Sequence, residues 1–207
     1  MKIRHYITGP IQVNTYLCYD EESKQGFIVD PGGYTKRLTA DAKEDGVSVK
    51  YIILTHGHCD HIGGVREFKK DFPNALIIAN VNEQEMLGDA RINSSRELFG
   101  YDITLNADLY MEDLDTLSFG NMELTFIHTP GHSEGGMCIY VKDNILFSGD
   151  TLFRYSVGRT DFYGGSWPQL KKSITEKLFA LNNECKVFPG HEGFTTIGDE
   201  KKGNPFV

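Results

Sequence analysis

The chain opens with three short segments in which hydrophobic residues either alternate with polar residues or run together. This pattern predicts antiparallel β-strands at residues 2–8, 13–19 and 26–30. The polar residues 20–24 predict a hairpin loop between the second and third of these strands. The turn-forming sequence Asp30-Pro31-Gly32-Gly33 ends this part of the chain.

Helices and strands then alternate along the chain. A helix is predicted at about residues 35–45, and a buried strand at residues 51–55. Four hydrophobic residues at helical spacing predict the next helix: Ile62, Val65, Phe68 and Phe72. A short apolar strand follows at residues 75–79.

The middle of the chain is more polar. One helix is predicted at residues 82–89, whereas the acidic stretch at residues 102–115 favours a solvated loop. Strands return at residues 123–128, 137–141 and 144–147.

The last predicted helix has the clearest pattern. Ser166 and Gln169 match a capping box, and four hydrophobic residues line one face: Leu170, Ile174, Leu178 and Leu181. A final strand is predicted at residues 185–188. This order of strands and helices, repeated in two halves, predicts an α/β fold in which helices cover a sandwich of sheets.

Length and charge narrow the functional classes. With 207 residues, of which 40% are hydrophobic, residues 1–207 are expected to form one domain. The net charge of −8 argues against a nucleic-acid partner. No apolar stretch approaches the ~20 residues of a membrane span, and residues 1–6 lack the pattern of a signal peptide. The oligomeric state is left open.

The cysteines indicate the cellular compartment of the protein. The four of them are far apart and show no metal-binding or redox spacing: Cys18, Cys59, Cys138 and Cys185. Reduced thiols in a cytoplasmic protein are the simplest interpretation. Cys59 in particular is expected to be a packed thiol.

The residues with the strongest chemical signal follow the apolar strand at residues 51–55. The run from Thr55 to His61 holds four side chains that can bind metal: His56, His58, Asp60 and His61. Three later segments share one layout, an apolar strand, a glycine and then a histidine or aspartate: His132, Asp150 and His191. If the strands share a sheet, these side chains meet at one edge, where the glycines allow sharp turns.

Seven ligands are too many for one tetrahedral ion and suit two ions that share a carboxylate. One ion is expected at His56, His58 and His132. The other is expected at Asp60, His61 and His191, with Asp150 as the bridge. Imidazole and carboxylate ligands predict divalent cations, zinc first, with iron or manganese as alternatives. His5 and His128 are interpreted as packing residues, and Asp30 as a carboxylate that orients the histidine loop from behind.

These motifs resemble those of the metallo-β-lactamase superfamily over nearly the whole chain, and within it the glyoxalase II-like (hydroxyacylglutathione hydrolase-like) branch. The resemblance implies a four-layer αββα sandwich. It also implies Arg159 as a substrate-binding residue, with Tyr163 as the substitute for a family tyrosine whose position is taken by Asp161. Since only 16 residues follow His191, the resemblance is expected to lack the helical C-terminal domain of glyoxalase II.

The predicted function is hydrolysis of a small-molecule thioester, of the hydroxyacyl-glutathione type, or of a related ester. A hydroxide bridging the two metals would be the nucleophile, and Asp60 would orient it. Alternatives on the same fold are a mononuclear iron persulfide dioxygenase, a lactonase or other ester hydrolase, and a non-enzymatic binding module. Ser133 matches a G-x-S-x-G nucleophile motif, but a predicted strand follows it where that motif needs a helix.

Overall fold

The computed structural model describes residues 1–207, and the first half of the chain forms a six-stranded mixed sheet. Its strands lie in chain order: β1 Lys2–Thr8, β2 Val13–Tyr19, β3 Gln25–Val29, β4 Ser48–Ile53, β5 Leu76–Asn80 and β6 Leu109–Met111. The first three strands pair antiparallel and the last four pair parallel. Parallel neighbours need crossover connections, and helices supply them.

The helices of the first half connect these parallel strands. They are α1 Lys36–Glu44, α2 Cys59–Ile62, α3 Val65–Asp71, α4 Gln84–Gly88 and α5 Ser95–Leu98. A 3-10 turn at Val81–Glu83 leads into α4. Thr35 caps α1 by accepting a hydrogen bond from the backbone N–H of Arg37, so this helix begins where its sequence predicts.

The second half forms another six-stranded sheet. Its strands and the small hairpin beside it are β7 Thr116–Phe119, β8 Met122–His128, β9 Met137–Val141, β10 Ile145–Gly149, β11 Leu152–Phe153, β12 Ser156–Val157, β13 Lys186–Pro189 and β14 Thr195–Thr196. The strand order in the sheet is β14-β13-β10-β9-β8-β7, and β11 pairs only with β12. Helices α6 Trp167–Lys172 and α7 Ile197–Gly203 complete this half.

Three clusters of buried hydrophobic residues separate four layers. The first cluster lies between α1, α3 and the first sheet, where Leu38 and Phe68 pack with Ile52. The second joins the two sheets, and the third packs α6 and the turns after it against the second sheet. The predicted αββα sandwich is therefore confirmed.

Three local predictions are wrong. The acidic stretch at residues 102–115 is not only a loop, because it contains β6 at Leu109–Met111, the edge strand of the first sheet. Gly63 and Gly64 divide the helix expected around Val65 into α2 and α3. Ser166 is the residue before α6 but makes no capping hydrogen bond through its side chain.

The last predicted helix is also irregular. Its α-helical part continues as a π-helical turn at Ser173–Lys177 and a 3-10 turn at Leu178–Ala180. Leu170, Ile174 and Leu178 are nevertheless all buried on one face, as their spacing predicts.

None of the helices is long and apolar enough to cross a membrane. The single domain over residues 1–207 and the cytoplasmic location stay predictions.

Candidate metal centre

Four of the predicted ligands lie in the short segment that follows β4. His56 and His58 lie in the extended chain before α2, and Asp60 and His61 lie within α2. The backbone N–H of Cys59 donates to the carbonyl of Asn93 at 2.9 Å, which holds the start of α2. One turn of helix therefore presents a carboxylate and an imidazole beside the two preceding histidines.

The other three ligands come from three separate places in the second sheet. His132 lies in the loop after β8, Asp150 directly follows β10, and His191 follows β13. The ligand-bearing strands do not all share a sheet, because β4 belongs to the first. The site lies where strand ends of both sheets meet.

Two glycines allow the ligand-bearing loops of the second half to come close to the other predicted ligands. Gly131, just before His132, has φ +134, a conformation that disfavours residues with a side chain. Gly190, just before His191, lies so close to Asp150 and His61 that a β-carbon there would collide with both. The predicted role of the glycines in the turns is thus visible at these two positions.

Side chains distant in the sequence are in contact within the site. His58 Nδ1 lies 2.9 Å from His132 Nε2. His61 Nε2 lies 3.3 Å from Asp150 Oδ1. His191 Nε2 lies 3.2 Å from Asp60 Oδ2. In each of three groups the ligand atoms lie within 4.8 Å of one another: His56, His58 and His132; His56, His61 and Asp150; Asp60, His61 and His191.

Buried atoms without a hydrogen-bond partner indicate that this cluster fits a metal. They are His56 Nε2, His58 Nε2, His61 Nε2 and Asp150 Oδ1. Burying a polar atom unpaired is costly, and nearly all such atoms in folded proteins have partners. Nitrogen and carboxylate donors converging in this way match what divalent transition metals prefer.

A chain of hydrogen bonds from Asp30 orients the ring nitrogens. Asp30 accepts from Thr55 N at 2.8 Å, from Thr55 Oγ1 at 2.6 Å and from His61 Nδ1 at 3.0 Å. Since the Thr55 hydroxyl donates to Asp30, it accepts from His56 Nδ1, 3.1 Å away. Both histidines therefore carry a proton on Nδ1, and Nε2 of each faces the cluster as the atom that could bind a metal.

In the second half of the chain, a backbone carbonyl orients the ring of His132. His132 Nδ1 donates to the carbonyl of Arg159 at 2.7 Å, which leaves a lone pair on Nε2, the atom that faces His58 Nδ1. Burial, reinforced by His132, lowers the pKa of His58 to about 3. Burial also lowers the pKa of His56 far below its usual range. These rings are therefore neutral, the form in which imidazole binds metal.

The carboxylates of the cluster are ionised. Burial alone would raise the pKa of Asp150, but His61, His132 and His191 outweigh it and lower that pKa below its usual range. The pKa of Asp60 is also lowered, because His61 and His191 outweigh burial. Burial alone would lower the pKa of His61, but Asp150, Asp60 and Asp30 outweigh it and raise that pKa above its usual range. Anionic oxygens, the neutral rings of His56 and His58 and the positively charged ring of His61 thus share one small space.

Glu83 is a buried residue of the site that the sequence analysis does not identify. Its carboxylate accepts hydrogen bonds from Gly57 N at 2.8 Å, Gly135 N at 2.9 Å and Ser133 Oγ at 2.5 Å. It therefore ties the loop of His56 and His58 to the loop of His132. Burial raises the pKa of this carboxyl to about 7 against the three donors. A glutamate at the start of a polar helix gives no signal of burial in the sequence.

Asn14 is a second residue that sequence reasoning missed. Its side-chain amide donates to the carbonyls of Pro189 and Glu192, each at 3.0 Å. It thereby holds both sides of the His191 turn from the first sheet. A single asparagine inside a strand gives no hint of this long-range role.

The predicted substrate residues lie in different surroundings. Arg159 lines an open cavity of about 470 Å³ whose floor includes Asp60, His132 and Asp150. Tyr163 is exposed, does not line this cavity, and donates its hydroxyl hydrogen bond to Glu85 at 3.1 Å. Their role in substrate binding stays a prediction.

Several other candidates lie outside the ligand cluster. His5 contacts Asn14, and His128 contacts the carbonyl of Glu134. The Cys59 thiol is buried. The Ser133 hydroxyl is buried and donates to Glu83, and β9 rather than a helix follows it, so it does not form a nucleophile elbow.

Residues 8–191 match the family model of the metallo-β-lactamase superfamily. A probable metallo-hydrolase, YqgX of Bacillus subtilis, is 39% identical, and the match covers 100% of this chain and 98% of the relative. The hydroxyacylglutathione hydrolase GloC of Haemophilus influenzae is 34% identical over 95% of this chain and 93% of its own length.

Solved structures share the fold over the same extent. The B3 metallo-β-lactamase BLEG-1 superposes with a TM-score of 0.92 at 38% identity, covering 99% of both chains. TTHA1623, crystallised in a di-iron-bound form, superposes with a TM-score of 0.85 at 31% identity, covering 99% of this chain and 100% of its own.

Proposed function

Since the chain belongs to the metallo-β-lactamase superfamily, we propose that it is a dinuclear metal-dependent hydrolase that cleaves a small-molecule thioester or a related ester. One observation carries this proposal. Ionised carboxylates, neutral imidazoles and unpaired buried ring nitrogens converge at the floor of an open cavity. The similarity to a hydroxyacylglutathione hydrolase favours the thioester as the bond that is cleaved.

The two predicted metal positions correspond to two groups of side chains. His56, His58 and His132 would hold one divalent cation, and Asp60, His61 and His191 the other. Asp150 lies between them, since its carboxylate faces both His61 and His132. Zinc is the first choice, and the di-iron form of TTHA1623 supports iron as the alternative.

When bound, such a pair of cations supplies Lewis-acid polarisation of the substrate carbonyl and activation of water at neutral pH. Asp60 places Oδ2 beside His191 Nε2 at the cavity floor. From there it can accept a hydrogen bond from the attacking water and so direct the oxygen towards the acyl carbon. The water adds its hydroxyl group to the acyl carbon and its hydrogen to the departing sulfur or oxygen.

Metal analysis combined with a hydrolysis screen tests this proposal. We expect two transition-metal ions per chain and hydrolysis of at least one thioester or ester, lost on chelation and restored by adding back metal. One iron per chain with consumption of oxygen would instead favour the persulfide dioxygenase. Metal binding without hydrolysis of any thioester, lactone or ester would favour the binding module.

The B3 metallo-β-lactamase of the same fold and 38% identity makes β-lactam hydrolysis a second candidate. A chromogenic cephalosporin included in the same screen tests it. If it is turned over faster than every thioester, the β-lactam is the better substrate class.

A further inference from the structure

We propose that Asp161 is a specificity-determining residue, which pairs with the single arginine of the substrate cavity and directs the enzyme towards thioesters whose thiol part is uncharged. This inference rests on the proposed function, because it names the substrate class of the same site.

The cavity wall carries few positively charged side chains. Apart from the histidines, Arg159 is the only basic residue that lines it. Both oxygens of Asp161 accept from this guanidinium, at 2.7 Å from Nε and 2.6 Å from Nη2. Two parallel hydrogen bonds of this kind are the geometry in which an arginine binds a carboxylate. To bind Arg159, a substrate carboxylate would have to displace the Asp161 carboxylate, which is the same chemical group.

The guanidinium of Arg159 also contacts an aromatic ring. It lies over the ring of Phe162, 4.0 Å from the centroid, and Phe162 in turn packs against His58. The backbone carbonyl of Arg159 orients His132. The backbone of Arg159 is therefore held by His132, and its guanidinium contacts an aromatic face and the Asp161 carboxylate.

The remaining wall above the ligand cluster combines apolar residues with uncharged polar ones. The apolar residues are Ile11, Leu98, Phe153, Val157 and Phe162, and the uncharged polar ones are Asn93, Ser94 and Ser156. Ile11 and Leu98 are 41% and 52% exposed, so apolar surface is available to a substrate. The only other charged side chain of the outer wall is Glu192, an acid. On this outer wall an anionic thiol such as glutathione would meet the Glu192 carboxylate and an arginine already paired with Asp161, whereas an uncharged thiol would meet apolar surface.

The experiment compares two thioesters with the same acyl group. S-Lactoylglutathione carries an anionic thiol part, and S-lactoyl-N-acetylcysteamine carries an uncharged one. We expect the metal-loaded wild-type protein to show the higher kcat/KM with the uncharged substrate. Asp161→Asn should raise the ratio of anionic to uncharged kcat/KM about fivefold, because an exposed ion pair of this kind contributes up to about 1 kcal/mol. Arg159→Gln added to Asp161→Asn should cancel the gain.

A matched control is present in the chain. Asp102 accepts from Arg96 with the same two-bond geometry, at 2.8 and 2.6 Å, and does not line the cavity. Asp102→Asn removes the same charge from the surface and should leave the substrate ratio within twofold. An equal rise in both variants would assign the effect to overall charge and overturn the proposal.

A binding measurement separates this inference from the proposed function. Calorimetric titration with S-methylglutathione, which cannot be hydrolysed, should show about fivefold tighter binding to Asp161→Asn than to wild type. If no thioester is hydrolysed but this difference is found, the reaction assignment fails and the role of Asp161 stands. If binding and the substrate ratio are both unchanged, or if the wild type prefers S-lactoylglutathione, the role of Asp161 is wrong.

Discussion

The two halves of the molecule supply the metal centre in different ways. The first half places four candidate ligands within the six residues from His56 to His61, in one loop and one helical turn. The second half places one ligand at each of three strand ends, at His132, Asp150 and His191. The comparison shows that one set is built by local chain geometry, whereas the other exists only when the second sheet is complete.

The supports of the two sets also differ. Asp30 stabilises the first set through hydrogen bonds that stay within the first half of the chain. Glu83 joins both halves, because it accepts from Gly57 on one side and from Ser133 and Gly135 on the other. Substitutions of Asp30 and Glu83 should therefore separate the local from the long-range contributions to stability and metal affinity.

The largest effect is expected at the ligand that contacts both sets. Asp150 faces His61 at 3.3 Å and His132 at 3.5 Å. Asp150→Ala should lower kcat/KM about 10³-fold or more, because metal assistance contributes several kcal/mol to such reactions. Metal analysis should show fewer than two ions per chain. Asp143→Ala, an exposed change in the turn between β9 and β10, is the control, and activity within tenfold of wild type in Asp150→Ala would contradict the bridging position.

Asp30→Asn should produce the next largest effect. The amide keeps the shape and tolerates the left-handed backbone at this position, where φ is +46. It cannot accept from all the donors around Asp30, and each buried donor left unpaired costs about 1–3 kcal/mol. Chemical denaturation should show a free energy of unfolding lower by about 3 kcal/mol, and metal affinity should fall about 10- to 100-fold.

The control for this change is Asp71→Asn. Asp71 accepts from the hydroxyls of Tyr34 and Thr39 and contacts no ligand, so metal affinity should be unchanged there. Unchanged affinity in Asp30→Asn as well would mean that the first set needs no support from behind.

Glu83→Gln tests the tie between the halves. We expect the free energy of unfolding to fall by about 2 kcal/mol and metal affinity to fall about tenfold, since one buried acceptor oxygen is replaced by a donor. Competition with a chromophoric chelator would measure the affinity. If the loss is confined to one of two ions, Glu83 supports a single set, and the idea that it couples both is wrong.

Ser133→Ala should have the smallest effect. It removes one hydrogen bond to Glu83, so stability should fall by about 1 kcal/mol. Activity should stay within about twofold, because the hydroxyl takes no part in the reaction. A loss of 100-fold or more with metal content intact would make Ser133 the nucleophile.

The difference between the halves also explains what could be predicted from the sequence. The first ligand set is visible because its residues are adjacent, and β1 and β2 are predicted at the bounds observed because their patterns are local. The second set could be recognised only through the repeated order of strand, glycine and ligand. That its strands lie in a different sheet from β4 could not be read from the residues alone.

The features that were not predicted from the sequence share a physical cause. β6 pairs with β5, and Asp108 beside it accepts a hydrogen bond from the backbone of Ile77, so an acidic residue stabilises the sheet edge. Glu83 and Asn14 are polar residues whose partners lie far away in the chain. Their importance follows from tertiary contacts, which no local pattern encodes.

The hydrogen bonds of Asn14 have a consequence for the order of assembly. They fix the turn that carries His191, which leaves the ribosome long after the first histidine loop. At roughly 5–20 residues per second, the delay is on the order of ten seconds. A cation that needs His191 as a ligand can therefore be held only after this turn has been synthesised and has packed against the first sheet.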